Sequence, residues 1–210
     1  MTICRQVAGA AAAMTIALAP AAASQEWVAA GARNGVALAY RDAPRLGARE
    51  VRAIADMPHT AERIIAVVCD FTQRLDPDVR EARILTGDVN TRYSVYLRYA
   101  PRYVVVAARD VVIDVRREPD GCAWSEQPDR AHTHAGTVRM PLLRGSWSVV
   151  PLDATRARVT YQIAVDPGGR IPGWLVRRGA ARALPRVIER VGRCLEDAAG
   201  RTRAEPPRCG

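Results

Sequence analysis

The sequence contains no lysine, so all 31 basic residues are arginines, and they outnumber 22 acidic residues to give a net charge of +9. Two explanations fit this composition: the codon preference of a GC-rich genome, or attraction to anionic headgroups at a membrane surface. The arginines are scattered along the chain, which favours the first. No basic stripe with interleaved aromatics occurs, so nucleic acid is not an expected partner.

The usual catalytic motifs are absent as well. The chain has no G-x-S-x-G, P-loop, G-x-G-x-x-G or H-E-x-x-H sequence. His132 and His134 would face the same way on a strand and could share a metal with Cys122 or Asp129, but ordinary surface histidines are the preferred interpretation. His59 precedes a predicted helix and has no evident partner. We therefore expect no cofactor, no metal and no enzymatic activity.

Long apolar runs are missing apart from one at the start of the chain. Residues 1–23 resemble a secretory signal peptide, with Arg5 before the apolar run Val7–Ala19 and small residues before Ser24. That run is too short to span a bilayer, although a retained N-terminal anchor is the alternative. We expect a mature protein that is periplasmic or secreted.

Four cysteines follow the predicted cleavage point: Cys69, Cys122, Cys194 and Cys209. No C-x-x-C occurs, which argues against a zinc site. An oxidising compartment permits disulfides, and four cysteines can pair in three ways. Cys194 and Cys209 are the nearest pair and could tie the tail to the last helix.

Alternating polar and apolar residues predict a series of strands. In the clearest, at 155–165, the odd positions are apolar, and the same alternation appears at 91–99 and 109–117. Turns are predicted at Asp120–Gly121 and Asp153–Ala154. Shorter strands are predicted at 35–41, 49–57, 79–87, 122–127 and 136–152.

Apolar spacings of three and four residues predict two helices. One runs from Thr60, a candidate N-cap, to Leu75, and the other from Pro172 to Ala198, with Pro185 expected to kink or interrupt it. A shorter helix is predicted near 25–33. This order indicates one α+β domain over 24–200, with an antiparallel sheet. The tail 201–210 is expected to be disordered unless Cys209 fixes it.

The last third of the chain carries a recognisable pattern. Gly145-Ser-Trp147 and Pro151-Leu152 precede an alternating strand, and Asp166-Pro-Gly-Gly-Arg-Ile-Pro-Gly-Trp-Leu-Val176 leads into the long helix. Together with the pair Arg109-Asp110 before an apolar strand, this pattern resembles the START-domain family of steroidogenic-acute-regulatory-related lipid-transfer proteins, here as an exported bacterial member.

The resemblance implies a helix-grip fold, in which a curved antiparallel sheet wraps a long C-terminal helix around a tunnel for one lipid. The ligands of the family include sterols, phospholipids and ceramides. A gate is implied between the terminal helix and a loop between strands, which corresponds here to Ala100–Tyr103. Lipid exchange would then involve transient contact with a membrane, and nothing suggests that the protein is other than a monomer.

Arg109 is the leading candidate for contacting a lipid hydroxyl or headgroup. It shares a strand face with Val111, Ile113 and Val115, and a charge on an apolar face is costly unless it is paired. The alternative is a structural salt bridge at the strand end. The family often pairs this arginine with a carboxylate on the neighbouring strand, where this chain offers only Tyr96 as a rough match. The other predicted ligand-lining residues are Tyr93, Tyr96, Val111, Trp147, Tyr161, Trp174 and Leu184.

Three functions are compatible with these features. The first, and favoured, is a periplasmic lipid carrier or sensor. The second is a helix-grip enzyme such as a cyclase or hydrolase of hydrophobic substrates, which would need acid or base groups inside the cavity. The third is an envelope interaction module with a packed cavity. Cavity volume and inward-facing titratable groups separate the three.

Overall fold

The computed structural model describes residues 26–100, 107–130, 134–199 and 209. They form a ten-stranded, largely antiparallel curved sheet and two α-helices, α1 (Ala61–Val68) and α2 (Gly173–Ala199). The predicted α+β helix-grip fold is therefore confirmed. The strands are β1 (Val28–Arg33), β2 (Val36–Ala43), β3 (Ala48–Met57), β4 (Val79–Asp88), β5 (Arg92–Tyr99), β6 (Ala108–Glu118), β7 (Gly121–Glu126), β8 (Thr137–Arg139), β9 (Leu142–Pro151) and β10 (Ala157–Asp166).

The strands are arranged in the order β1-β2-β3-β10-β9-β7-β6-β5-β4, and β8 pairs in parallel with β6. The alternation that predicted β10 holds along the strand, because its odd positions face the core. Tyr161 pairs with Ala53 of β3 on one side and with Trp147 of β9 on the other. Helix α2 covers this face of the sheet, and Leu184, Val187 and Val191 pack into the core.

The helix predicted near 25–33 is wrong, since this segment contains strand β1. Asn34 and Gly35 both adopt positive φ, of 52° and 76°, and connect β1 to β2 as a two-residue hairpin. Asn-Gly is the dipeptide that such hairpins favour, because both of its residues tolerate the left-handed region. Local turn chemistry here outweighs the helical propensity of the alanines.

Helix α1 ends at Val68, seven residues before the predicted end at Leu75. Cys69 forms a disulfide with Cys122, and Asp70 accepts a hydrogen bond from the backbone of Thr72, which starts a short 3-10 turn. Thr60 occupies the N-cap position, but its side chain makes no capping bond. The covalent link to β7 and the new cap together redirect the chain.

Proline has opposite effects at two places. Pro141 divides the strand predicted at 136–152 into β8 and β9, because proline has no N–H to donate to a sheet. Pro185 lies inside α2, which continues through it, so the predicted interruption does not occur. Pro185 is buried, and packing on this face offsets the lost backbone bond.

Candidate functional site

Two neighbouring cavities lie between the sheet and α2. The inner cavity has a volume of about 40 Å³ and the outer cavity about 610 Å³. The inner cavity is lined by Val68, Phe71, Arg74, Leu75, Asp76, Val79, Leu97, Tyr99, Trp124, Leu143, Trp147, Tyr161, Ile163 and Val187. The outer cavity is lined by Ala30, Leu38, Ala39, Tyr40, Asp42, Pro44, Gly47, Ala48, Arg49, Val51, Arg52, Val165, Asp166, Pro167, Ile171, Val176 and Leu184.

The two cavities follow one another along the same elements. On β10, Ile163 lines the inner cavity and Val165, two positions further on the same strand face, lines the outer one. On α2, Val187 lines the inner cavity and Leu184, three residues earlier on the same helix face, lines the outer one. The cavities are therefore consecutive parts of one groove between β10 and α2.

One wall of the inner cavity is a row of aromatic rings. Tyr161 stacks on Trp147 with ring centroids 4.1 Å apart, and the ring of Trp124 lies 6.0 Å from that of Tyr161. Phe71 then meets Trp124 edge to face at 5.0 Å. Such contacts fix ring positions more tightly than aliphatic packing does. The wall is thus a rigid apolar surface beside the inner cavity.

Gly145, the first residue of the Gly-Ser-Trp sequence, makes room for this wall. It pairs with Trp124 of β7 and with Ile163 of β10. A Cβ atom at this position would lie 2.6 Å from Cζ2 of Trp124 and 2.2 Å from the carbonyl oxygen of Gln162. The glycine of the motif is therefore required by the indole that lies over it.

Two tyrosines give the inner cavity its polar character. Burial raises the pKa of Tyr161 and holds the pKa of Tyr99 well above its usual range, and the negative charge of Asp76 raises both further. Both hydroxyls therefore stay protonated at physiological pH and can donate hydrogen bonds.

The outer cavity is polar at one end and apolar along its length. Arg49 forms an ion pair with Asp42, with Nε–Oδ1 2.9 Å, and its guanidinium stacks over the ring of Tyr40 at 4.3 Å. Leu38, Val51, Val165, Ile171, Val176 and Leu184 form the apolar lining. A groove of this kind suits a ligand with a long apolar body.

Arg109 lines neither cavity in the described part of the chain. Its guanidinium donates to the carbonyl oxygens of Pro167 (3.2 Å), Gly168 (3.4 Å) and Ala107. Gly168 and Gly169 adopt positive φ in this turn, as expected for a sharp change from strand to helix. Arg109 thus fastens β6 to the turn that leads into α2.

Arg109→Ala should lower the free energy of unfolding by about 2 kcal/mol, because charge-assisted bonds to backbone carbonyls are lost. Urea denaturation measures this change, and lipid uptake by the folded variant measures the separate ligand role predicted from the sequence. That role requires the variant to lose more free energy of lipid binding than free energy of unfolding. Equal losses of stability and of lipid binding would show that Arg109 has only a structural role.

The remaining predicted site residues divide into three groups. Trp147 and Tyr161 line the inner cavity and Leu184 lines the outer one. Val111 packs in the core, and the hydroxyl of Tyr93 donates to the carbonyl of Cys69 (2.8 Å) and accepts from the backbone of Phe71 (3.0 Å), so neither lines a described cavity.

Tyr96 and Trp174 line neither cavity. Tyr96 is on the opposite face of β5, where its hydroxyl donates to Asp110 at 3.4 Å and its ring lies 5.8 Å from that of His134. Trp174, in the first turn of α2, is 58% exposed. It follows Ile171 and precedes Val176, both of which line the outer cavity, so Trp174 lies on the surface beside that cavity.

Sequence reasoning missed Trp124, Phe71 and Tyr99, which complete the inner cavity, and the β2–β3 residues of the outer one. A signal for Trp124 was present, because it alternates with Cys122 on a predicted strand. The proposed gate at Ala100–Tyr103 lies outside the described residues except for Ala100, as does His132 of the histidine pair.

Cys122 is not available as a metal ligand, because it is joined to Cys69, and the second disulfide joins Cys194 to Cys209 as the spacing suggested. Within the described ranges, no cluster of three metal-ligating side chains occurs. In the same part of the chain, no helix combines the length and apolarity needed to cross a membrane.

Comparison with known proteins gives concordant results. Residues 58–191 match the family described as polyketide cyclase/dehydrase and lipid transport. The STAR-related lipid transfer protein from Xanthomonas axonopodis (fragment 25–204) superposes with a TM-score of 0.70 at 26% identity, over 81% of this chain and 98% of that one. Human STARD10 superposes with a TM-score of 0.72 at 16% identity, over 83% and 74%, which supports the fold alone.

An uncharacterised protein of Pseudomonas aeruginosa is 39% identical over 75 residues, which are 33% of this chain and 37% of that protein. The match thus spans little more than a third of that relative. The family match, in contrast, covers most of this chain, including α1, every strand from β4 to β10 and most of α2. The START resemblance is confirmed, and the chain belongs to the polyketide cyclase/dehydrase and lipid transport family.

Proposed function

We propose that this protein binds one hydrophobic lipid in the groove formed by the inner and outer cavities, and that it carries or senses this lipid in the periplasm without chemical conversion. The observation that carries the proposal is the outer cavity of about 610 Å³ between α2 and strands β2, β3 and β10. Cavities of roughly 300–1,000 Å³ accommodate drug-sized ligands. A cavity of this size also argues against a packed interaction module.

The lining supports an apolar ligand held by few polar contacts. Aliphatic side chains from β2, β3, β10 and α2 line the outer cavity, and the aromatic wall continues this surface inward. Burying apolar surface contributes roughly 25 cal/mol per Å², so the ligand body supplies most of the binding free energy. Specificity then depends on the polar groups at the two ends of the groove.

Two features support an exported lipid carrier. The disulfides Cys69–Cys122 and Cys194–Cys209 suit an oxidising compartment such as the periplasm. Trp174 exposes an indole beside the outer cavity, and tryptophan is favoured at membrane–water interfaces. We infer that this turn of α2 contacts the membrane when a lipid enters or leaves.

An enzyme acting on a hydrophobic substrate is the second candidate. The family includes polyketide cyclases and dehydrases by its description, and Asp76, Tyr99 and Tyr161 place titratable groups in the inner cavity. Turnover of an extracted ligand by the purified protein would favour this candidate, whereas release of the ligand unchanged favours a carrier.

Native mass spectrometry with organic extraction, on protein purified from the periplasm, tests the proposal. We expect one copurified lipid per chain. In the double variant Leu38→Trp/Val176→Trp, indoles enter the outer cavity from β2 and from α2, and occupancy should fall at least about tenfold because the ligand body loses its space.

Val150→Trp/Leu152→Trp is the matched control, because both side chains are exposed, by 53% and 42%, and line neither cavity. This variant should retain the lipid. A wild-type protein that is empty and takes up neither fluorescent sterols nor phospholipids would refute the proposal.

A further inference from the structure

We propose that the inner cavity binds an uncharged oxygen atom of the ligand, a hydroxyl or a carbonyl, through hydrogen bonds from Tyr99, Trp124 and Tyr161. The protein would thereby select lipids that end in a neutral polar group over lipids that end in a carboxylate. This inference rests on the proposed function and names the ligand class for the same groove.

The volume of the inner cavity limits what it can hold. At about 40 Å³ it is far smaller than the outer cavity of about 610 Å³. A cavity needs roughly 10–15 Å³ of such space to hold one water molecule, so the inner cavity accommodates a small functional group but not the body of a lipid. Because it adjoins the outer cavity along β10 and α2, that group would be the end of a ligand whose body fills the outer cavity.

Three donors in the wall of this cavity have no acceptor among the described residues. The indole Nε1 of Trp124 is buried and has no hydrogen-bond partner in this part of the chain, and a buried donor without an acceptor destabilises the folded state. No hydrogen bond to another described residue engages the hydroxyl of Tyr99 or Tyr161. A ligand oxygen could accept from these groups and remove that penalty.

Tyr93 provides the contrast within the same sheet face. It is also a buried tyrosine, but its hydroxyl is satisfied by the backbone of Cys69 and Phe71, and it lines neither cavity. Buried tyrosines are normally satisfied in this way. The donors without acceptors among the described residues thus line the cavity that the end of a ligand could enter.

The charges around the inner cavity favour a neutral oxygen over a carboxylate. Burial and the charge of Asp76 keep both tyrosines protonated, so they supply hydrogen bonds without positive charge. Asp76 lines the same cavity, and a carboxylate placed there would lose its hydration without gaining a cationic partner from the three donor groups. Arg74, the other charged lining residue, is exposed, and its guanidinium donates to the carbonyl of Arg80 at 3.4 Å, where solvent screens it.

Equilibrium dialysis of the full chain against 1-decanol, 2-decanone, decanoate and decane tests this inference. We expect Tyr99→Phe/Tyr161→Phe to weaken binding of decanol and decanone about tenfold, and to change binding of decane and decanoate less than about twofold. The wild type should bind decanol and decanone at least about threefold more tightly than decanoate, because the carboxylate loses its hydration without a cationic partner.

Tyr93→Phe is the matched control, because it removes a buried hydroxyl outside the cavity; it should lower thermal stability but leave the affinities for all four compounds unchanged. If the double tyrosine variant binds decanol and decanone as the wild type does, or if the wild type binds decanoate as tightly as decanol, the inference is wrong and the proposed function stands. If the wild type binds none of the four compounds, both fail.

Discussion

Gly145→Ala should lower the free energy of unfolding by at least about 3 kcal/mol, the largest effect we expect from a single methyl group in this protein. The added Cβ would lie 2.2 Å from the carbonyl oxygen of Gln162 and 2.6 Å from Trp124. Neither neighbour can yield easily, because one is the backbone of the adjoining strand and the other is held between Phe71 and Tyr161.

Gly192→Ala is the control for this experiment. Gly192 lies within α2, and a Cβ there meets nothing within 4 Å. Alanine is the better helix former by about 0.8–1 kcal/mol, so this variant should be slightly more stable than the wild type. Urea denaturation measures both variants. Equal stability of Gly145→Ala and the wild type would show that the aromatic wall is not packed as described.

Cys69→Ala/Cys122→Ala should lower the free energy of unfolding by about 4 kcal/mol. The disulfide joins the end of α1 to β7 across 53 residues, and closing a loop of that length restricts the unfolded chain by this amount in the chain-entropy model. Loss of the link also releases the segment that carries Phe71, so we expect ligand binding to weaken together with stability.

Cys194→Ala/Cys209→Ala removes the disulfide that closes a shorter loop of 15 residues, and the same model gives a loss of about 3 kcal/mol for it. Its effect should be confined to the end of α2 and leave ligand binding intact. Thermal unfolding in the presence and absence of ligand distinguishes the two variants. If the Cys69/Cys122 variant retains wild-type stability and binding, the link does not position the inner cavity.

The parts of the fold that the sequence predicted are those in which local pattern and tertiary environment agree. β10 alternates cleanly because one of its faces is core and the other is largely polar, and the Asp166–Val176 run has few conformations open to it, because of its glycines and prolines. β1 was mistaken for a helix because its alanines favour helix, whereas the Asn34–Gly35 turn determines the hairpin.

The site was harder to predict because its parts come from distant segments. Trp147 and Tyr161 could be nominated from their strands, but Trp124 joins them only through the β7–β9 pairing, and Phe71 only through the disulfide that bends the chain after α1. Arg109 was nominated because it lies on an apolar strand face. The strand pattern could not reveal that its guanidinium donates hydrogen bonds to backbone carbonyls of a turn nearly 60 residues away.

The position of β10 in the middle of the sheet also affects how the chain can fold. β10 is flanked by β3 and β9, and its pairing with β3 joins Met57 to Ala157, residues separated by 100 positions. Strands β1–β3 can pair with one another, and so can strands β4–β9. The edges at β3 and β9 stay unpaired until β10 is added between them. Such high contact order slows folding, so the strand that emerges last in synthesis determines when the sheet closes. A chain cut short before Ala157 would lack β10 and would be left with two incomplete sheets whose open edges invite aggregation.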